Sequence, residues 1–229
     1  MVVLVTGSAK GIGREVARQL TERGETVIVS ARDGARARQV ADELGARAVE
    51  LDVTDDASVA AAADAIGELD VLVNNAAAFV DWSEMASAAD LATAREVIDT
   101  NLLGTWRVTQ AMLPLLRRSA HPRIVMVSSG GGSHADEQFG LTRRGGAAAT
   151  YGISKAALNA LTATLAAELA STPVLVNAVC PGLTATWPGA EQMGARPVAD
   201  GAASVLWAAT LPDDGPRGGF FRDGEPLGW

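Results

Sequence analysis

The chain has 229 residues, 48% of them hydrophobic and 20% charged, with a formal net charge of −8. That length allows one large α/β domain with a sizeable core, and the acidic balance argues against nucleic acid as a partner. A single cysteine, Cys180, excludes an internal disulfide, and no stretch resembles a secretory leader or a membrane span, so a cytoplasmic location is expected.

In chain order, short apolar runs appear at Val2–Val5, within Glu25–Ser30 and Ala46–Leu51, and at Leu69–Val73, Arg123–Val127 and Val174–Val179. Unbroken runs of this length suit strands buried on both faces of a parallel sheet. Segments of helical period lie between and after them, at 12–23, 34–44, 55–67, 88–118 and 151–170, with a last helix at 198–210. The tail GGFFRDGEPLGW reads as a final strand and a turn. This alternation predicts a single-domain Rossmann fold, a doubly wound parallel β-sheet of about seven strands flanked by helices. Within the one domain, 1–120 is expected to serve mainly cofactor binding and 121–229 mainly catalysis and the substrate pocket.

Thr6–Gly13 (TGSAKGIG) follows the first strand and opens the first helix. Gly7, Gly11 and Gly13 allow a tight turn and a pyrophosphate at the helix N-terminus, or simply a structural turn. The second strand ends at Arg32, where an NAD site would carry an acid for the ribose. Arg32 with Lys10 suits a 2′-phosphate and so NADP(H), although Arg32 could be a solvated strand end and Asp33 could compete. Asp52 follows the third strand and is placed to accept from an adenine amino group. Asn74 and Asn75 follow the fourth strand and read either as ligand-edge or as turn residues. Asn101 is a poor helix former inside a long helical segment, which a kink, a bound water or plain tolerance would explain. Ser128 and Ser129 end the fifth strand, ahead of a Gly/Ala-rich loop at 130–150.

Tyr151 is the only tyrosine, and Lys155 is one of two lysines against seventeen arginines. In a helix the two form an i, i+4 pair, and a nearby ammonium would lower the phenol pKa. The pair is also readable as a buried Tyr and a surface Lys. Cys180 reads as a small core residue. His121 and His134 show no metal-ligand spacing, so no metal is expected.

TGSAKGIG at 6–13, LDV at 51–53, NNAA at 74–77, Asn101 in NLLG, VSS at 127–129, YGISK at 151–155 and PGLTAT at 181–186 occur in one order along the chain. With these motifs the sequence resembles the short-chain dehydrogenase/reductase family over essentially its full length. The resemblance implies a Ser129–Tyr151–Lys155–Asn101 tetrad. In it Tyr151 is the proton donor, Lys155 lowers its pKa and holds the nicotinamide ribose, Ser129 bonds the substrate oxygen, and Asn101 anchors a relay water. It implies cofactor contacts from Gly7, Ser8, Lys10, Gly11, Ile12 and Gly13, and from Arg32, Asp52, Val53, Asn75, Ala76 and Ala77. Pro181, Gly182, Leu183, Thr184 and Thr186 would join Tyr151 and Lys155 at the nicotinamide end.

The expected activity is NADPH-dependent reduction of a ketone or aldehyde. The alternatives are an NADP-dependent alcohol dehydrogenase working in the oxidising direction and a non-catalytic NADP(H)-binding regulator. Ala77 departs from the family's usual glycine. The 22-residue interval from Ser129 to Tyr151 is longer than usual and resembles the monomeric carbonyl-reductase branch, whose insert covers the dimerising helix face, so a monomer is expected. A short segment after Thr186 implies an open pocket edged by Trp187, Met193, Phe139 and Trp229.

Overall fold

Each apolar run supplies alternate side chains to the two faces of one sheet, so every parallel strand needs helices on both sides. In the computed structural model, which describes residues 1–229, the strands are β1 (Val2–Val5), β2 (Thr26–Ala31), β3 (Arg47–Glu50), β4 (Val71–Asn74), β5 (Arg123–Val127), β6 (Leu175–Val179), β7 (Phe220–Arg222) and β8 (Glu225–Pro226). Their order is β3-β2-β1-β4-β5-β6-β7-β8. The first seven are parallel, as expected, and two-residue β8 pairs antiparallel with β7 at the edge.

The helices are α1 (Gly11–Glu22), α2 (Gly34–Leu44), α3 (Asp56–Ile66), α4 (Leu91–Ile98), α5 (Thr105–Leu116), α6 (Ala149–Glu168) and α7 (Val198–Ala209). On one face Leu4, Leu72, Ile124 and Val176 pack with Met112 and Leu116 of α5 and Leu158 and Leu165 of α6. On the other, Val3, Val5, Val73, Val125 and Val179 pack with Val16 and Leu20 of α1 and Val205 and Leu206 of α7.

The long segment expected at 88–118 is not one helix. A π-helical turn at Asp99–Gly104 separates α4 from α5 and contains Asn101. Such a turn widens the bonding from i+4 to i+5 and is frequent at functional sites. Of the readings open for Asn101, the local kink is the one realised.

From β1 the chain winds outward through β2 to β3, then returns to β4 on the other side of β1. This reversal opens a crevice at the carboxyl ends of β1 and β4, the position where open α/β sheets bind ligands.

Candidate active site

The glycine turn crosses this crevice. Gly7 and Gly11 have φ of +62° and +57°, and a Cβ on Gly7 would stand 2.9 Å from the Ala76 Cα. A Cβ on Gly13 would collide with the Asn75 amide nitrogen. Asn75 donates to the carbonyls of Thr6 and Gly7, while the Thr6 hydroxyl accepts from the amides of Asn75 and Ala76. The β4 end is thus stitched to the turn.

No side chain caps α1, so its first-turn N–H groups around Ile12 are left for an anion. Ser8 points the other way. Its hydroxyl donates to Val5 and accepts from the Ser30 amide, and its own amide donates to Ser30. Ser8 therefore braces the turn against β2. Asn74 is likewise inward, donating to Thr109 from a buried position.

Lys10 and Arg32 are exposed at the crevice edge. Asp33 is already committed, because one carboxylate oxygen caps α2 by accepting from the Ala35 and Arg36 amides. Asp52 accepts from the Thr54 amide and hydroxyl. Burial acts upward on its carboxyl, but the Thr54 bonds and the Arg32 and Arg107 charges outweigh it and hold the pKa below the usual range. The neighbouring Val53 carbonyl accepts from Arg107.

The catalytic candidates converge from β5 and α6. Lys155 is 2% exposed, donates to the Val127 carbonyl at 2.8 Å and stands 5.7 Å from the Tyr151 ring centroid. Burial pulls its pKa down to about 8. Ser129 is half-buried and accepts from the Gly131 amide, and its hydroxyl acts to lower the Tyr151 pKa. The dense surroundings of Tyr151 act more strongly and push the phenol above its ordinary 10. Burial acts on the phenolate more strongly than the Ser129 bond, and the Lys155 ammonium is bonded to the Val127 carbonyl.

Asn101 is tied into the loop after β4 and into α6. Its carboxamide accepts from the Ala78 amide and donates to the Ala78 carbonyl and to Ser154. The side chain latches three segments. The Ser154 hydroxyl in turn donates to the Tyr151 carbonyl, so the latch reaches the first turn of α6. That turn begins at Ala148, which has φ of +55° and no capping side chain. The cap comes from Glu84, whose carboxylate accepts from the Thr150 amide and hydroxyl.

After β6, the Arg196 guanidinium donates to the Pro181 carbonyl, and its backbone bridges Leu183 and Ala185. The Thr184 hydroxyl turns back to Pro181 and Gly182. Leu183, Thr184 and Thr186 line a cavity of about 300 Å³ together with Ile12, Asn75, Ala77, Pro181, Gly182, Ser129, Tyr151 and Lys155. Cys180 lines it too, accepting from the Gly130 amide, so it is more than inert core filling.

Phe139, Trp187 and Met193 also border the cavity, as expected. Trp229 does not. It stacks on Phe220 with centroids 5.5 Å apart. Trp82 stands edge-on to Tyr151 at 5.6 Å and stacks on Trp187 at 6.0 Å, while Phe79 stacks on Tyr151 at 5.2 Å, so aromatic rings edge the mouth. The 130–150 insert folds against the tail through Ser133 to Gly228, His134 to Trp229 and Asp136 to Arg222. It leaves Leu103, Trp106 and Ile153 exposed on the π-turn, α5 and α6, so the cover expected to enforce a monomer is not formed over these residues.

The reading of the sequence missed Phe79, Trp82, Glu84, Ser154 and Arg196. The signal for the first two was present, since two of only nine Phe and Trp residues follow NNAA within five positions.

A family model described as short chain dehydrogenase matches residues 1–193. The chain belongs to the short-chain dehydrogenase family. Members of this family are oxidoreductases that use a nicotinamide cofactor. Short-chain dehydrogenase/reductase 1 of Saponaria officinalis is 33% identical, over 97% of this chain and 94% of the relative. A solved NADPH-bound carbonyl reductase from chicken fatty liver superposes with a TM-score of 0.84 at 26% identity, covering 100% of this chain and 98% of that one. A 3-oxoacyl-(acyl-carrier protein) reductase with bound NAD from Brucella melitensis gives 0.84 at 30%, covering 99% and 91%.

The buried lysine has a measurable signature. The unfolded chain keeps a proton on Lys155 that the folded chain releases between pH 8 and 10.5, so the burial cost is full below pH 8 and is relieved as pH rises. Melting of the ligand-free protein should therefore gain roughly 2 kcal/mol, or about 4–8 °C, on Lys155→Met between pH 8 and 10. A gap between the two proteins that is independent of pH would contradict a buried ammonium.

Proposed function

We propose that this protein is an NADPH-dependent reductase of a ketone or aldehyde, with Tyr151 as the proton donor. The observation that supports it best is the convergence of Ser129, Tyr151 and Lys155 on the wall of one cavity that also reaches Ile12 of the glycine turn.

The residues present suit the cofactor. The turn at Gly7, Gly11 and Gly13 packs on Asn75 and Ala76 with no room for a Cβ on Gly7 or Gly13, and α1 offers uncapped N–H groups beside it. Lys10 and Arg32 would hold a 2′-phosphate, and the commitment of Asp33 to α2 removes the nearest competing acid. When bound, the nicotinamide supplies the hydride. Ser129 would hold the carbonyl oxygen, Tyr151 would protonate the oxygen as it becomes an alkoxide, and Lys155 would keep a cation beside the transient phenolate. Residues 1–120 carry the proposed cofactor contacts, apart from those of Tyr151, Lys155 and 181–186, and 121–229 carry the proposed chemistry.

Tyr151→Phe should lower kcat for carbonyl reduction by about a thousandfold while leaving the Kd for NADPH within about twofold. Turnover equal to that of the unsubstituted protein would remove Tyr151 from the proton-donor role. Arg32→Asp should cut the ratio of kcat/KM with NADPH to that with NADH by on the order of a hundredfold. A ratio that hardly moves means that Arg32 does not read the phosphate.

A further inference from the structure

The geometry points to a substrate that is a planar aromatic ketone bearing a carboxylate, the ring held by Phe79, Trp82 and Trp187 and the carboxylate by Arg144. This rests on the reductase reading and narrows it to a substrate class.

The aromatic residues come from two segments that meet through Trp82 and Trp187 beside Tyr151. Phe79 and Trp82 lie in the loop after β4, and Trp187 follows the turn after β6. Phe79 and Trp82 remain 56% and 41% exposed although they stack on other rings. Large aromatics left at a cavity mouth mark a surface that gains by covering a ligand, and offset or edge contacts recruit flat rings most readily. An aliphatic ketone would bury area here but forgo the stacking.

The charge pattern supplies the second half. In a chain of net charge −8, the cavity lining contains two cations, Arg144 and Lys155, and no Asp or Glu. Lys155 is buried and bonded to Val127. Arg144 is exposed at the rim and joins none of the ion pairs in the chain. It has φ of +53°, a conformation unfavourable for a side-chain-bearing residue, and it is followed by two left-handed glycines, Gly145 and Gly146. Strain of this kind persists where the surroundings impose it and clusters at ligand clamps. The carboxylates of the facing loop are already engaged, Asp81 by Ser83 and Glu84 by Thr150. The guanidinium is the free charged group at the mouth, and its planar fork matches a carboxylate.

The test compares 4-acetylbenzoate with its uncharged amide, 4-acetylbenzamide, and with the aliphatic 4-oxopentanoate, following NADPH oxidation by the unsubstituted protein, Arg144→Gln and Trp187→Ala. The inference requires kcat/KM for 4-acetylbenzoate to exceed that of both others. Arg144→Gln should raise KM for the acid about fivefold and leave the amide unchanged, as suits an exposed ion pair, and added salt should erase the difference. Trp187→Ala should weaken both aromatic ketones and spare 4-oxopentanoate. Equal efficiency for acid and amide, or an acid preference that survives Arg144→Gln, overturns the role of Arg144. Reduction of the aliphatic ketone alone overturns the substrate class and leaves the reductase reading standing. Failure to reduce any of the three or any simple ketone or aldehyde overturns that reading itself, and the inference with it.

Discussion

The site is organised around one costly placement, an ammonium buried between a strand end and a helix. Lys155 loses its water and is given the Val127 carbonyl instead, which leaves its pKa near 8. Holding it there requires α6 to press against the end of β5. Gly132 permits this, because a Cβ at that position would stand 2.5 Å from the backbone of Lys155 and Ala156. The first turn of α6 is held by groups from elsewhere. Glu84 caps it from the loop after β4, a kind of contact worth about 1 kcal/mol, and Ser154 ties it to Asn101 in the π-turn. Remote segments thereby fix a single helical turn, and that turn carries Tyr151.

The same dryness that depresses Lys155 elevates Tyr151. For the phenol, burial acts more strongly than the Ser129 hydrogen bond that opposes it. The aromatic residues over the phenol contribute to that environment, so the proposed recognition surface and the acidity of the proposed donor share a cause.

Much of this was legible in the sequence because it depends on local pattern. Apolar runs alternating with helical period place the strands and helices, and their order along one crevice follows from the chirality of the crossovers. YGISK, TGSAKGIG and the Ser129 strand end all reach that crevice. What escaped depends on contacts between segments distant in sequence. The latch of Asn101 to Ala78, the cap of Thr150 by Glu84 and the clamp of Arg196 on Pro181 join residues that no periodicity relates. Spacing along a helix brings an ammonium near the phenol, but the burial that acts on both groups depends on tertiary packing.

Burial favours the protonated phenol of Tyr151, and Tyr151 is the only tyrosine in the chain. Labelling tyrosine with carbon-13 at Cζ therefore gives one resonance, and its shift against pH reports this ionisation alone. A midpoint above the ordinary value of 10.0 in the ligand-free protein is the predicted result. A midpoint below that value would show that Lys155 governs the pair after all and would contradict the account.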